Sequence, residues 1–138
     1  MRIAGRDIIL KILNEEYCKS VLETRKKYFT SRPPQELGKN STLFFAMKNE
    51  VKNYVIVGQA LPFLVRRMNT MDKDETTYSE EHRWPFVIEL VNTIKYLKTI
   101  PATEAFPAEI IKKLHTQRPS GIELTPEISR IAKKSNSY

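Results

Sequence analysis

Two apolar segments separated by a short polar stretch constrain the fold of this 138-residue chain more than any other feature. Residues 41–47 (STLFFAM) and 54–60 (YVIVGQA) are rich in the aromatic and β-branched side chains that favour strands. The polar residues 49–53 between them suit a turn. This arrangement predicts a β-hairpin. Because Pro62 has no backbone N–H, we expect it in an edge strand or at the end of the pairing.

Further strands are predicted on both sides of the hairpin. Residues 6–13 (RDIILKIL) are apolar and rich in isoleucine, which predicts a buried strand. Residues 27–32 (KYFTSR) form a short extended segment that stops at two prolines. Residues 83–91 begin a long strand that continues, with a bulge, to Leu97. Together with the hairpin, these segments predict five or six strands.

Three short helices are predicted between and after the strands. Asn14 is a favourable N-cap followed by two acidic residues, which predicts a helix over roughly 14–25. Proline suits the first position of a helix, which predicts helices over 107–114 and from Thr125 onward. Strands that pair over long sequence distances, with helices at their edges, predict an α+β fold. The expected architecture is a five- to six-stranded mixed sheet or small barrel with flanking short helices.

The charge of the chain indicates the class of partner. It has 23 Lys and Arg residues against 16 Asp and Glu, a net charge of +7, and such cations bind nucleic acid by neutralising its phosphates. An acidic membrane surface is the alternative, but no basic amphipathic helix with a bulky apolar face is present.

No apolar run is long enough to span a membrane, and residues 1–6 lack the apolar region of a signal peptide. With Cys18 as the single cysteine, we expect a cytoplasmic chain. Its length predicts one domain over 1–134, with 135–138 as a tail or the start of a linker.

The residue types that catalysis needs do not assemble in the sequence. His82 and His115 are far apart and have no cysteine partner, so no metal site is predicted. The four glycines form no phosphate-binding loop, so no cofactor is expected. Cys18 follows Tyr17 in the predicted helix, and we expect it to be a small, partly buried apolar residue. No catalytic residue is predicted, and the chain is expected to bind rather than to catalyse.

Five short motifs occur in a characteristic order. A turn at 36–39 (ELGK) precedes strands at 43–46 (LFFA) and 55–60 (VIVGQA), and a strand at 83–90 (RWPFVIEL) and a segment at 117–124 (QRPSGIEL) follow. In this order the motifs resemble the PUA-like superfamily, specifically its ASCH, EVE and YTH branches. The fourth motif looks like a strand of EVE domains, and the fifth looks like their C-terminal pocket-closing segment. The resemblance covers most of the chain and implies a single PUA-like domain of the EVE type.

ASCH proteins carry a G-x-K-x-x-E-x-R motif, which aligns with the stretch from Arg25 to Arg32. Lys27 and Arg32 match the motif, whereas Arg25 replaces its glycine and Thr30 replaces its glutamate. Enzymatic members of the family are expected to need that acid, so the departure favours binding over hydrolysis. The alternative is an ASCH-like enzyme that processes RNA or a nucleoside.

EVE and YTH relatives imply a different role, which is to bind a modified base in an aromatic-lined pocket. The base would be flipped out of a duplex or already single-stranded, on DNA or RNA. The N-terminal DNA-recognition domains of McrB-type, modification-dependent restriction proteins are one such case. A chain of that kind would have further domains after Tyr138. A general PUA-like RNA-binding protein without preference for a modification is the remaining alternative.

The implied pocket predicts a set of site residues. A base needs aromatic faces for stacking, polar groups for its edge and cations for its phosphates. Because neighbouring residues of a strand point to opposite faces, at most one of Tyr28 and Phe29 is expected to line the pocket. The expected base-binding residues are Tyr28, Phe29, Thr30, Ser31, Phe45, Trp84 and Ser120. The expected phosphate-binding residues are Arg25, Lys26, Lys27, Arg32, Arg66, Arg67, Arg83 and Arg118.

Overall fold

The computed structural model describes residues 7–12, 14–30, 37–38, 41–67, 73, 84–116 and 122–124. Within these ranges, short helices pack on both faces of a curled, six-stranded mixed sheet. The strands are β1 (Ile8–Ile12), β2 (Lys27–Thr30), β3 (Leu43–Lys48), β4 (Tyr54–Arg67), β5 (Phe86–Pro101) and β6 (Ile122–Glu123). The helices are α1 (Glu15–Lys19), which continues as a π-helical turn over Ser20–Thr24, α2 (Ala102–Ala105) and α3 (Ala108–Thr116).

The order of the strands across the sheet is β2-β5-β4-β3-β1-β6. β1 and β3 pair in parallel, and every other neighbouring pair is antiparallel. The predicted α+β fold, with a mixed sheet and short flanking helices, is therefore confirmed. No helix among the described residues is long and apolar enough to cross a membrane.

The predicted hairpin is confirmed as β3 and β4, which pair antiparallel. Asn49 builds the connecting turn, because its Oδ1 accepts hydrogen bonds from the backbone N–H groups of Val51 and Asn53 at 3.1 and 3.0 Å. A short polar side chain of this kind supplies the local hydrogen bonds that a chain reversal needs.

β4 is longer than predicted, since it continues through Pro62 to Arg67. Its last pair with β3 joins Ala60 to Leu43, so within the described ranges β4 pairs only with β5 from Leu61 onward. Pro62 therefore lies in a part of β4 that forms an edge of the sheet, one of its two expected positions. An edge position tolerates proline because the missing N–H is not needed for strand pairing on the open side. A register shift between β4 and β5 follows directly after it.

The helix predicted over 14–25 is confirmed. Asn14 caps it, because its Oδ1 accepts the backbone N–H of Tyr17 at 2.8 Å. The helix ends where the N–H groups of Arg25 and Lys26 both donate to the Ser20 carbonyl oxygen, at 2.9 and 3.0 Å. Lys26 has a φ of 57°, and this left-handed residue turns the chain into β2.

The second half of the described chain confirms one long strand and one helix. β5 begins at Phe86, later than the predicted start at residue 83, and extends the predicted strand to Pro101, with Asn92 at a φ of 52°. α3 confirms the helix predicted over 107–114. α2 and the short β6 were not predicted from the sequence. The helix expected from Thr125 and the tail at 135–138 lie outside the described residues.

Each face of the sheet carries its own apolar core. One core, which we call the α1 core, lies under α1 and the π-helical turn. The other, the α3 core, lies under α2 and α3. β3 contributes Phe45 to the α1 core and Phe44 to the α3 core, because adjacent residues of a strand point to opposite faces of the sheet.

Candidate nucleic-acid interface

Four aromatic side chains meet in the α1 core and form what we call the aromatic cluster: Tyr17, Tyr28, Phe45 and Trp84. The Tyr17 ring centroid lies 5.5 Å from that of Trp84 and 5.8 Å from that of Tyr28. The Tyr28 centroid lies 5.8 Å from that of Phe45. All three contacts are tilted, a geometry that adds to the stabilisation from burial. Trp84 is the outermost member, because it is partly exposed whereas the other three are buried.

Hydroxyl groups hold the inner members of the aromatic cluster in place. The Tyr17 hydroxyl donates to the Phe29 carbonyl oxygen at 3.0 Å and accepts from the Phe29 N–H at 2.9 Å, which ties α1 to β2. The Tyr28 hydroxyl donates to the Lys11 carbonyl oxygen at 2.8 Å, and burial raises the pKa of this phenol. Trp84 therefore packs on a ring whose position is set by hydrogen bonds. Tyr17 was not among the predicted site residues, although its place on the buried side of the helix was readable from the sequence.

We expect Tyr17→Phe to lower the free energy of unfolding by about 1–3 kcal/mol, since it removes both hydrogen bonds to Phe29 and keeps the ring. Chemical denaturation followed by circular dichroism measures the change. Tyr96→Phe is the matched control, because it removes a hydrogen bond to the Gln59 side chain (2.6 Å) at a partly buried site and is expected to cost less. Equal stability of Tyr17→Phe and the parent protein would contradict this role for the hydroxyl.

The predicted base-binding residues that the structure describes differ in burial. Four of them have 3% or less of their surface exposed: Tyr28, Phe29, Thr30 and Phe45. Their side chains are buried in this structure, where no base can stack on them. Trp84 is partly exposed. Ser31 and Ser120 lie outside the described residues.

Phe86 lies close to Trp84 in the chain and holds one of the predicted cations. The two residues are separated by one position where the chain enters β5, a spacing that places side chains on one side of an extended segment. The Cζ atom of Arg67 lies 5.5 Å from the Phe86 ring centroid, a favourable cation–π distance. Thr30 and Arg67 flank Phe86 as its partners on β2 and β4. Phe86 was not predicted, and its spacing from Trp84 is the signal that could have found it.

The other expected phosphate-binding residues that the structure describes differ in their exposure and in their neighbours. Arg66 is partly buried, and its Nε lies 2.5 Å from Glu89 Oε2. Lys27 is opposite the same glutamate in the pairing of β2 with β5. Lys26 is exposed, and Arg25 is partly exposed at the end of the helix. Glu89 therefore offsets part of the positive charge on this part of the sheet. Arg32, Arg83 and Arg118 lie outside the described residues.

The single cysteine lies in the interior. Cys18 is fully buried, and burial, followed by the charge of Glu15, raises the pKa of its thiol to about 11. The group is therefore a neutral thiol near neutral pH, whereas nucleophilic attack needs the thiolate. This agrees with the expectation that Cys18 acts as a small apolar residue. Among the residues that the structure describes, no group of three His, Cys, Asp or Glu side chains is arranged to hold a metal ion.

Comparison with known proteins gives matches among solved structures only. No protein-family model matches the chain. No curated protein is similar in sequence. An ASCH protein from Zymomonas mobilis matches with a TM-score of 0.64 and 12% identity over 94% of each chain. Two single-substitution variants of it also match at 12% identity. The Ser-to-Ala variant has a TM-score of 0.64 over 96% of this chain and 98% of the other, and the Tyr-to-Phe variant has 0.62 over 94% and 97%.

The chain has an ASCH-like fold. Agreement over nearly the whole of both chains at such low identity means that the backbone path is shared while almost every side chain differs. Within the ASCH-like fold, the stretch that aligns with the ASCH motif runs from the end of the helical segment into β2. Lys27 begins β2 and is partly exposed, whereas Thr30, at the position of the motif glutamate, is 3% exposed.

Proposed function

We propose that this chain binds nucleic acid and reads one unstacked base by stacking on the partly exposed ring of Trp84. The observation that carries the proposal is the packing of Trp84, which is partly exposed and lies 5.5 Å from the hydrogen-bonded ring of Tyr17. A ring that is already held loses little conformational freedom when a base stacks on it. Base–aromatic stacking of this kind contributes about 1–3 kcal/mol per base.

Arg67 is the phosphate contact of the proposed site. Its guanidinium is held over Phe86, two residues from Trp84, so a cation and an aromatic face are presented by adjoining parts of β4 and β5. Guanidinium groups suit phosphates because their donors match two oxygens at once. The net charge of +7 adds a long-range attraction for any nucleic acid.

Stacking on one ring, that of Trp84, also limits which base can be read. Extruding a base from a duplex costs a few kcal/mol, which is comparable to the gain from one stack. The target is therefore a base that is already single-stranded or whose pairing is weakened, and a modified base is the more specific form of this proposal. Recognition of modified DNA for a modification-dependent restriction system would be one biological use of such a site.

The proposal is for a binding domain and not an enzyme. Thr30 takes the place of the ASCH glutamate and is buried, so it supplies no acid. The carboxylate that faces Lys27 in the sheet is that of Glu89, which is paired with Arg66. Turnover of RNA or of an acylated nucleoside that disappears in Lys27→Ala would overturn this part of the proposal.

Trp84→Ala is expected to weaken binding of the preferred oligonucleotide about 5- to 150-fold and to remove discrimination between plain and methylated bases, because the stacking face is lost. Fluorescence anisotropy with labelled single-stranded oligonucleotides measures both effects. Trp84 is the only tryptophan, so quenching of intrinsic fluorescence in the parent protein reports stacking directly.

Arg67→Ala is the comparison variant for this experiment. It is expected to weaken all oligonucleotides alike and to reduce the slope of log K against log salt by about 1. Unchanged affinity and discrimination in Trp84→Ala would show that the proposed site is wrong. Equal binding of plain and methylated oligonucleotides by the parent protein would remove the modified-base part and leave general nucleic-acid binding.

A further inference from the structure

A second cationic cluster lies on the side of the sheet away from Trp84, next to the α3 core. The Nζ atoms of Lys11 and Lys48 each lie 5.6 Å from the ring centroid of Tyr54. The His115 ring packs edge-on against the same ring, with centroids 5.0 Å apart and an interplanar angle of 68°. Two ammonium groups and an imidazole therefore surround one partly exposed phenol.

Strand pairing and the end of α3 bring these residues together. Lys48 and Tyr54 are direct partners in the pairing of β3 with β4. Lys11 pairs with Ala46, two residues before Lys48, so both lysines lie on the same face of the sheet. His115 comes from the last turn of α3, which packs on that face. The cluster therefore joins residues from distant parts of the sequence.

The positive charges of Lys11 and Lys48 repel one another. The pKa of the Lys11 ammonium is lowered, first by burial and then by the positive charge of Lys48. An anion between the two groups would replace this repulsion with two attractions. Lys112, which is exposed and lies three residues before His115, adds a further positive charge on the same side of α3.

We propose that Lys11, Lys48 and His115 form a phosphate-binding site over the ring of Tyr54. The two ammonium groups and an imidazole N–H supply charge-assisted donors for phosphate oxygens. The phosphate can belong to a nucleic-acid backbone or to a small phosphomonoester, and the chemistry of the site is the same for both. The site lies on the other face of the sheet from Trp84 and does not depend on the function proposed there.

Inorganic phosphate titrated into the whole chain tests the proposal, with the ring signals of Tyr54 and His115 followed by NMR. Both signals are expected to shift and to saturate together. Lys48→Ala is expected to weaken phosphate about tenfold, and Lys11→Met, which keeps most of the side-chain volume, is expected to do the same. Lys98→Ala removes another exposed strand lysine and is expected to leave phosphate affinity unchanged.

A short oligonucleotide without terminal phosphates distinguishes the two sources. If it also shifts the Tyr54 and His115 signals, the ligand is a backbone phosphate, and if only inorganic phosphate does so, the ligand is a small phosphate compound. The Trp84 indole signal in the same spectra reports the other site separately. The proposal is overturned if neither probe moves the two ring signals. It is also overturned if Lys48→Ala lowers stability but leaves phosphate binding intact, since the contacts with Tyr54 would then be structural only.

Discussion

Phe45→Ala is expected to lower the free energy of unfolding by about 3–5 kcal/mol, the usual range for a large aromatic side chain removed from a core. Phe45 is fully buried in β3 and packs against Tyr28, so that three successive ring contacts connect it to Trp84. The variant would leave a cavity under the aromatic cluster that the surrounding sheet cannot close completely. Chemical denaturation followed by the fluorescence of the single tryptophan measures the loss.

Phe63→Ala is the matched control, because Phe63 lies on β4 with 64% of its surface exposed. It is expected to change stability by no more than about 0.5 kcal/mol. This pair of variants also separates two roles for Phe45. A residue that only lines a base pocket would lose ligand affinity and keep its stability, so a fully stable Phe45→Ala protein with impaired binding would contradict the structure described above.

Gly58→Ala is expected to cost about 2–4 kcal/mol, at or above the upper part of the range for an overpacked core. A methyl group at this position would collide with the backbone carbonyl oxygen of Ile94 on β5 and lie 2.6 Å from Leu22 Cδ1 in the π-helical turn. Thermal and chemical unfolding measure the loss. Here glycine is required for close approach of two strands and a helical segment, not for an unusual backbone angle.

The double variant Gly58→Ala with Leu22→Ala identifies which contact dominates. Leu22 can be shortened, but the Ile94 carbonyl oxygen belongs to the backbone and cannot rotate away. We therefore expect the double variant to lose somewhat less stability than the sum of the losses in the two single variants, because only one of the two clashes is relieved. If the double variant is as stable as Leu22→Ala alone, the clash with Leu22 is the only important one. A Gly58→Ala protein as stable as the parent protein would contradict the close approach itself.

Most of the predicted elements were readable from local patterns. Asn14 as a cap, the alternation of Phe44 and Phe45 and the polar turn at Asn49 all act within a few residues, where propensity and hydrogen bonding are decided locally. The same holds for the order of motifs that indicated a PUA-like fold. α2 and β6 escaped prediction because they are very short and depend on their neighbours for stability.

The candidate site could be predicted only in part from the sequence, because the exposure of each side chain depends on how the assembled core packs. Tyr28, Phe29 and Phe45 have the residue types of a base pocket, yet packing against α1 and across the sheet buries all three. Trp84 stays partly exposed because it lies just before β5 begins, at the margin of the α1 core. Phe86 could have been found from its spacing, whereas the pairing of Arg66 with Glu89 depends on the register between β4 and β5.

The sequence by itself determined the types of the longer elements, the α+β class, the two-sided β3 strand and the basic character of the chain. These follow from periodicity, caps and composition, which need no knowledge of distant neighbours. Only the tertiary structure decided which members of the aromatic cluster are buried, why position 58 requires glycine, and that Lys11, Lys48, Tyr54 and His115 meet. Each of these results from contacts between segments far apart in the chain, and strand register and helix packing set those contacts in three dimensions.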